Sequence, residues 1–413
     1  MKIVVLSQYY DPEPVPIPGQ VARGLRARGH EVQVLTAPPS YPAGRVYEGF
    51  RNHDTTTVAD GVPIHRVRTP ISHSQNAVGR FASYFGFAGS ASRARSLISG
   101  ADVVYVYATQ MTASIPVHVW SLLCGTPFVL HVQDLWPESI SESSMIPPKA
   151  KQAVEAVLNP WLRRAYARAE AIVAIAPTMA EVLSRRGGDA RKVRTILNWS
   201  VEDGRQVTPR ERRTASEGGL HLLYAGNVGD LQGFDVVIDA LSKSSDPGVR
   251  LRVVGAGSSL EDVKRRAAVR LPPGRVEFFD PVPRERLGPH LDWADFQLIP
   301  LRNLDIFRGT IPSKFQGSMR EAIPVITNVP GDLAQMVGDE QVGLVATPDD
   351  AQSLAACVDR AARIDDETYA GLSRRSLEFY NRSMSADSGL DRLERILTEA
   401  ACARKKGSDR VGR

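Results

Sequence analysis

Short apolar runs recur along the chain, each followed by a polar or glycine-bearing loop and then by a helical pattern. In the first half the runs are residues 2–7 (KIVVLS), 31–36 (EVQVLT), 102–107 (DVVYVY), 127–133 (PFVLHVQ) and 171–176 (AIVAIA). Near-continuous apolar runs of this kind mark parallel strands covered on both faces. Between them the periodicity predicts helices over about residues 20–28, 76–97, 148–170 and 178–186. Residues 37–67 read as loop-rich, ending in an alternating strand (VPIHRVR). A polar stretch at 202–219 interrupts the series and reads as a linker. A second series of strands then begins at 220–225 (LHLLYA), continues through 249–254, 276–279 and 296–300, and closes with a short run at 324–327. Helices follow to about Ala403.

Two alternating series predict an α/β protein of two doubly wound, Rossmann-like domains facing across a cleft. The expected division is 1–200 and 201–385, with a terminal helix at about 386–403 crossing back to the first domain and a basic flexible tail at 404–413. Open sheets of this kind bind ligands at the carboxyl ends of their strands. The loop after the first strand (YYDPEPVPIPGQ), stiffened by prolines and tipped by Gly19, lies at such an end. So does DLWPES after the fourth run, which turns His131, Asp134 and Glu138 toward the expected cleft.

Composition adds limits. A chain of 413 residues, 43% hydrophobic and 23% charged, is long enough for two cores. No apolar run reaches the ~18 residues that span a bilayer. Cys124, Cys357 and Cys402 are odd in number and lack metal-ligand spacing, which suits free thiols in a reducing cytoplasm. The net charge of +5 is uneven: residues 1–200 hold 21 Lys/Arg against 14 Asp/Glu, so the first half is +7 and the remainder −2. A basic first half suits an anionic partner, either a diphosphate-bearing acceptor or an anionic membrane surface, and equally suits solubility alone. No basic stripe interleaved with aromatics points to nucleic acid. On the helix at 76–97, Phe81, Tyr84, Phe85 and Phe87 with Arg80, Arg93 and Arg95 fit either an interfacial helix or a core-facing one.

The chemistry concentrates at residues 305–325 (DIFRGTIPSKFQGSMREAIPV). Thr310 or Ser313 can cap a helix running to about Arg320, and Pro312 suits its first turn. A helix N-terminus presents unpaired N–H groups and partial positive charge. With Arg308 and Lys314 beside it and Gly309 allowing close approach, the segment reads either as a cradle for a diphosphate or as an ordinary amphipathic connecting helix with solvated cations.

The order of motifs now resembles a known family. KIVVLSQYYDPEP, RGHEVQVLT, YPAGRVYEGF, HVQDLWPES, ILNWSVE, YAGNVGDLQGFD, VVGAGSS, DPVPRERLG and TIPSKFQ…PVIT follow one another from Met1 to about Ala400. In this order they are similar to retaining nucleotide-sugar glycosyltransferases of the GT-B fold, glycosyltransferase family 4. The subgroup resembled most is that of fucosamine-type transferases of bacterial surface polysaccharides. Two departures stand out. The family's paired glutamates, eight residues apart, fall on Gly309 and Gly317. Its diphosphate-holding Arg and Lys fall on Asn227 and Gln232.

The resemblance implies transfer of a hexosyl or N-acetylaminosugar unit from a nucleotide-diphosphate donor to a saccharide or lipid-linked hydroxyl. It implies no metal and no cofactor beyond the nucleotide sugar itself. Donor contacts are expected at Gly226, Asn227, Gln232, Gly257, Gly309, Thr310, Ile311, Pro312, Ser313 and Gly317, and acceptor contacts at Gly19, Tyr41, Trp136 and Glu138. Lys314, Arg308, Asp134 and His131 are the candidate catalytic groups. The expected location is cytoplasmic, peripheral on the inner face of the membrane. Two alternatives share the architecture: a nucleotide-sugar 2-epimerase and a catalytically silent subunit of a polysaccharide assembly complex.

Overall fold

The computed structural model describes all residues except 72–76, 138–150, 188, 201–204, 213–218 and 412–413, and leaves out the side chains of 77, 78, 151 and 404–411. The chain divides into two compact units, Met1–Val201 with Ala386–Arg413, and Glu202–Ser385.

The first unit holds strands β1 (Lys2–Leu6), β2 (Glu31–Thr36), β3 (Thr55–Ala59), β4 (Val62–Arg66), β5 (Val103–Ala108), β6 (Phe128–Val132), β7 (Ala171–Ala174) and β8 (Val193–Thr195). Their order is β3-β4-β2-β1-β5-β6-β7-β8, parallel except for the antiparallel β3–β4 pair. Positive φ at Asp60 (52°) and Gly61 (72°) fits the two-residue turn that joins β3 to β4. Ile3, Val5, Val32, Val34, Val103 and Tyr105 form the core on one face of the sheet.

The last helix, Ala386–Val411, completes that core. Leu390, Leu393, Leu397, Ala400 and Ala401 recur at three- and four-residue steps and are buried in it. Arg28 pairs with Asp391 at 2.7 Å and with Glu394 at 2.9 Å, and His30 bonds Glu394 at 2.8 Å, which fixes the helix's register against the first unit. Its helical course continues past residue 404, where the sequence reading places a flexible tail.

The second unit holds β9 (His221–Ala225), β10 (Arg250–Val254), β11 (Val276–Phe279), β12 (Phe296–Ile299), β13 (Val325–Thr327) and β14 (Gly343–Val345). All pairs are parallel, in the order β11-β10-β9-β12-β13-β14. Leu222, Tyr224, Val253, Phe296, Leu298 and Ile326 belong to its core. In each sheet the connections run outward in opposite directions from one strand, β1 in the first and β9 in the second. That reversal opens a crevice at the carboxyl ends of β1/β5 and of β9/β12, where doubly wound sheets take ligands.

Two element expectations change. The first helix spans Pro16–Ala27 rather than starting near residue 20, because prolines at its first turn need no N–H partner. In the helix Ala77–Ser92, Phe87 is fully buried, Phe81 and Tyr84 are half-buried, and Phe85 alone of the four aromatics is exposed, at 51%. The aromatic side therefore packs inward, and the core-facing reading holds for this helix.

Candidate functional site

In the second unit the loops after β9 and β10 run together. Gly226 N–H donates to the Val254 carbonyl at 2.9 Å, and Val228 N–H to that of Ala256 at 2.9 Å. Gly257 lies against the Val228 backbone, which leaves no room for a Cβ. Gly226 adopts φ 144°, a left-handed conformation that favours glycine. A Cβ there would lie 2.7 Å from Lys314 Cε and 2.8 Å from its Nζ. Glycine at 226 is thus what admits the Lys314 side chain to the end of β9.

Lys314 is the second residue of the helix Ser313–Arg320 and is half-buried. Its ammonium lies 4.9 Å from the centre of the Tyr224 ring, an attractive cation–π geometry. Burial holds its pKa below the ordinary lysine value, and no carboxylate pairs with it among the described residues. Pro312, not a hydroxyl residue, occupies the cap position, and no side chain caps the helix. The Thr310 hydroxyl donates instead to the Ile306 carbonyl at 3.2 Å, and Ser313 is exposed as the first helical residue. Phe315 N–H donates to the Pro312 carbonyl at 2.9 Å, which leaves the Ser313 and Lys314 N–H groups open beside a desolvated cation, an arrangement suited to an anion.

The remaining donor candidates divide. Gln232 Oε1 accepts from Gly229 N–H at 2.9 Å and from Asn227 Nδ2 at 3.4 Å, so this pair braces the loop after β9. Arg308 is exposed and pairs with Asp305 at 3.0 Å, three residues away, while its carbonyl accepts from Asp332 N–H at 2.7 Å. It is not drawn to the helix terminus as the sequence suggested. Ile311 is half-buried, as is Gly309. Gly317 has no atom within 4 Å of where a Cβ would stand, so the position of the family's second glutamate is open space. Sequence reasoning missed Arg302, which follows β12, donates to Asp235 at 3.0 Å and to the Asp230 carbonyl at 3.3 Å, and so ties the two sides of this crevice.

The first unit has its own pocket, of about 560 Å³, at the carboxyl ends of β1, β5 and β6. Its wall includes Tyr9, Tyr41, Arg80, Tyr84, Thr109 and Asp134. The Tyr9 and Tyr41 rings stand 5.1 Å apart. Asp134 keeps solvent access within this concave wall, yet desolvation raises its carboxyl pKa. The hydroxyl pKa values of Tyr9 and Tyr84 are likewise raised, first by burial. Gln8 underlies the floor and donates to Ser83 at 3.1 Å. The wall thus offers aromatic faces, one carboxylate, the Arg80 guanidinium and several neutral hydroxyl and amide groups.

Four first-unit candidates are placed otherwise than expected, or lie beyond view. His131 is 1% exposed within β6, hydrogen-bonded through Nδ1 to the Tyr105 hydroxyl at 2.6 Å, and burial pushes its pKa down to about 3. It is a neutral core histidine, because β6 is covered on both faces and its alternation cannot turn that ring to solvent. Trp136 is buried at 3%; its ring backs Tyr84 at 6.3 Å, and its carbonyl accepts from Arg186 at 2.7 Å. Gly19 sits inside the first helix against the Asp11 carboxylate, which pairs with Arg23, so it serves packing. Glu138 lies outside the described residues.

Sequence reasoning also missed Glu13, buried at 4%. Its carboxylate accepts from the backbone N–H groups of Tyr10 (2.9 Å), Ser40 (2.7 Å) and Tyr41 (2.8 Å). Desolvation raises its pKa, against the lowering effect of those three donors and of Arg66. The signal was present in DPEP, where an acidic residue between prolines cannot be accounted for by helix capping.

Two family models match the chain, one within each unit. Residues 16–199 match the glycosyl transferase 4-like domain, and residues 219–363 match the glycosyl transferases group 1 domain. A Pseudomonas aeruginosa protein described as the glycosyltransferase WbjE is 24% identical over 263 residues, 62% of this chain and 64% of that protein. An Escherichia coli K12 protein described as the colanic acid biosynthesis glycosyl transferase WcaI is 24% identical over 315 residues, 72% of this chain and 76% of that one. The crystal structure of Anabaena Alr3699/HepE in complex with UDP-glucose superposes with a TM-score of 0.64 at 15% identity, covering 97% of this chain and all of that one. The two Rossmann-like α/β units are those of the GT-B fold.

Proposed function

We propose that this chain, whose residues 16–199 and 219–363 match the glycosyl transferase 4-like and glycosyl transferases group 1 domains, moves a sugar from a nucleotide-diphosphate donor to a hydroxyl of a saccharide or lipid-linked acceptor in surface-polysaccharide synthesis. The observation that carries the reading is Lys314: a half-buried ammonium without a carboxylate partner among the described residues, beside an uncapped helix N-terminus and the glycine loop after β9. Such a place favours a diphosphate, and favours it more as charge builds on the leaving oxygen. The family's Arg and Lys are Asn227 and Gln232 here, so Lys314 and the backbone take over their task.

In the reaction proposed, the bond from the anomeric carbon to the diphosphate oxygen breaks and a bond to the acceptor oxygen forms on the same face. The acceptor's proton passes to the departing phosphate oxygen. Anomeric configuration is retained without an enzyme carboxylate as nucleophile, unlike a retaining hydrolase with its two carboxylates ~5 Å apart. Catalysis then rests on positioning and on neutralising the leaving group. The acceptor is assigned to the first-unit pocket. Tyrosine faces suit the apolar side of a sugar ring, and Asp134 and Thr109 suit its hydroxyls.

A lipid-linked acceptor implies work at an anionic membrane surface. Phe85, Leu122 and Leu123 are exposed on the helices Ala77–Ser92 and Ile115–Cys124, with Arg80, Arg93 and Arg95 nearby in sequence. Among the described residues no helix is long and apolar enough to cross a membrane.

A panel of nucleotide sugars, with UDP-glucose as the first probe, tests the reading by slow donor hydrolysis and by transfer to saccharide acceptors. The expected result is hydrolysis of one donor class and a product of unchanged anomeric configuration by NMR. Release of an epimerised free sugar, or nucleotide binding without any turnover across the panel, contradicts it.

A further inference from the structure

We infer that Glu13 is a positioning residue for the acceptor: one buried carboxylate ties together the two loops that carry Tyr9 and Tyr41. The inference rests on the reading of the first-unit pocket as the acceptor site. The loop after β1 carries Tyr9 and Tyr10, and the loop after β2 carries Ser40 and Tyr41. Neither is held by a strand ladder at these residues. Among the described residues one backbone bond runs between them, from Ala37 N–H to the Gln8 carbonyl at 3.3 Å, at the base of the loops. Further out, the link is Glu13: Oε2 takes the Tyr10 N–H, and Oε1 takes those of Ser40 and Tyr41. No direct ion pair neutralises this carboxylate among the described residues. Arg66, also buried, donates instead to the Asp11 carbonyl at 3.0 Å and acts on Glu13 only at longer range.

A buried carboxylate is costly to keep, so its persistence needs a reason that a neutral side chain cannot meet. Chemistry supplies one. Three donors converge from two loops, and only an ionised carboxyl offers acceptor sites on both oxygens with no hydrogen of its own. Glutamine in the same volume would present an amide N–H₂ to at least one of those N–H groups. The consequence falls on Tyr41, whose backbone is held directly and whose ring lies 5.1 Å from that of Tyr9 in the pocket wall. Releasing the Ser40–Tyr41 amides frees one aromatic face relative to the other without touching Lys314.

The test compares Glu13→Gln, Glu13→Asp and Tyr41→Ala with the parent chain. Hydrogen exchange is read at the amides of Tyr10, Ser40 and Tyr41. Acceptor kinetics use methyl glycosides of glucose, galactose and their 2-acetamido counterparts, and UDP affinity serves as the fold control. Glu13→Gln, whose single oxygen can serve only one side of the tie, is expected to speed exchange by about tenfold or more at Tyr10 or at Ser40 and Tyr41, whichever side its amide N–H₂ faces, the scale of a charge-assisted hydrogen bond. It is expected to raise acceptor KM by a similar factor with kcat and UDP affinity little changed, and Glu13→Asp, which keeps the charge, to recover part of both. Parental exchange and acceptor KM in Glu13→Gln overturn the inference, as does an equal loss of UDP affinity. If Tyr41→Ala itself leaves acceptor KM unchanged, the acceptor reading of the pocket fails, and with it the role given to Glu13. If Tyr41→Ala raises KM and Glu13→Gln does not, the positioning role alone fails.

Discussion

At the scale of single residues the account turns on Lys314. Its short distance in sequence from Pro312 made it legible as a group near a helix start, and the structure adds the reason it is special. Tyr224, Gly226 and the first turn of its own helix surround the ammonium. Its depressed pKa makes a prediction with a definite sign. A bound diphosphate stabilises the charged ammonium, so binding raises the lysine pKa back toward its ordinary value and is linked to proton uptake. UDP affinity should therefore fall as pH rises through the free protein's Lys314 pKa, beginning below the ordinary lysine range. Isothermal titration across alkaline pH checks this, and Lys314→Met should flatten that limb. His131 was not legible. Its strand is buried on both faces, so position in the run says nothing about whether a polar side chain meets solvent or a tyrosine. The pairing of Arg308 with Asp305, three residues before it, was not foreseen either, since a local partner competes with the helix terminus for its guanidinium.

At the scale of elements, period and turn chemistry carried most of the reading. The continuous apolar runs announced the parallel strands because strands covered on both faces need no alternation. β3 escaped because it lies at the sheet's edge and is mostly exposed, so it lacks an apolar pattern; the Asp60-Gly61 pair was the signal that could have revealed it. The helix Ala77–Ser92 was ambiguous in sequence because arginines flank its aromatics whichever way those face. Burial decides. Phe87→Ala should cost about 3–5 kcal/mol, as a large core truncation, whereas exposed Phe85→Asp should shift the melting temperature little. Denaturant unfolding of the two variants measures the contrast. The last helix makes a similar prediction from far along the chain. Leu393, 1% exposed against the first unit's core, should cost about 2–5 kcal/mol when replaced by alanine. A loss confined to the first unit's unfolding transition is the expected form.

At the scale of the whole molecule, two alternating series separated by a polar stretch were enough to foresee two doubly wound units. The order of motifs was enough to foresee the glycosyltransferase domains. What the sequence could not supply was the set of long-range ties within each site: Glu13 bonded to the Ser40 and Tyr41 amides, and Lys314 admitted by Gly226. These depend on loops brought together over long sequence separations, where neither period nor propensity carries information. The charge asymmetry, +7 in residues 1–200 against −2 beyond, predicts co-sedimentation with anionic rather than neutral vesicles that weakens as salt is added. The central claim is that the donor diphosphate is held at the start of the helix Ser313–Arg320 by Lys314. Its most direct test is UDP affinity and single-turnover donor cleavage in Lys314→Ala, measured beside the parent chain at saturating donor. The account predicts turnover lower by about 100-fold, the scale of one preorganised charge on a leaving group, weaker UDP binding and an unchanged melting temperature. Parental affinity and turnover in a folded Lys314→Ala protein would contradict it.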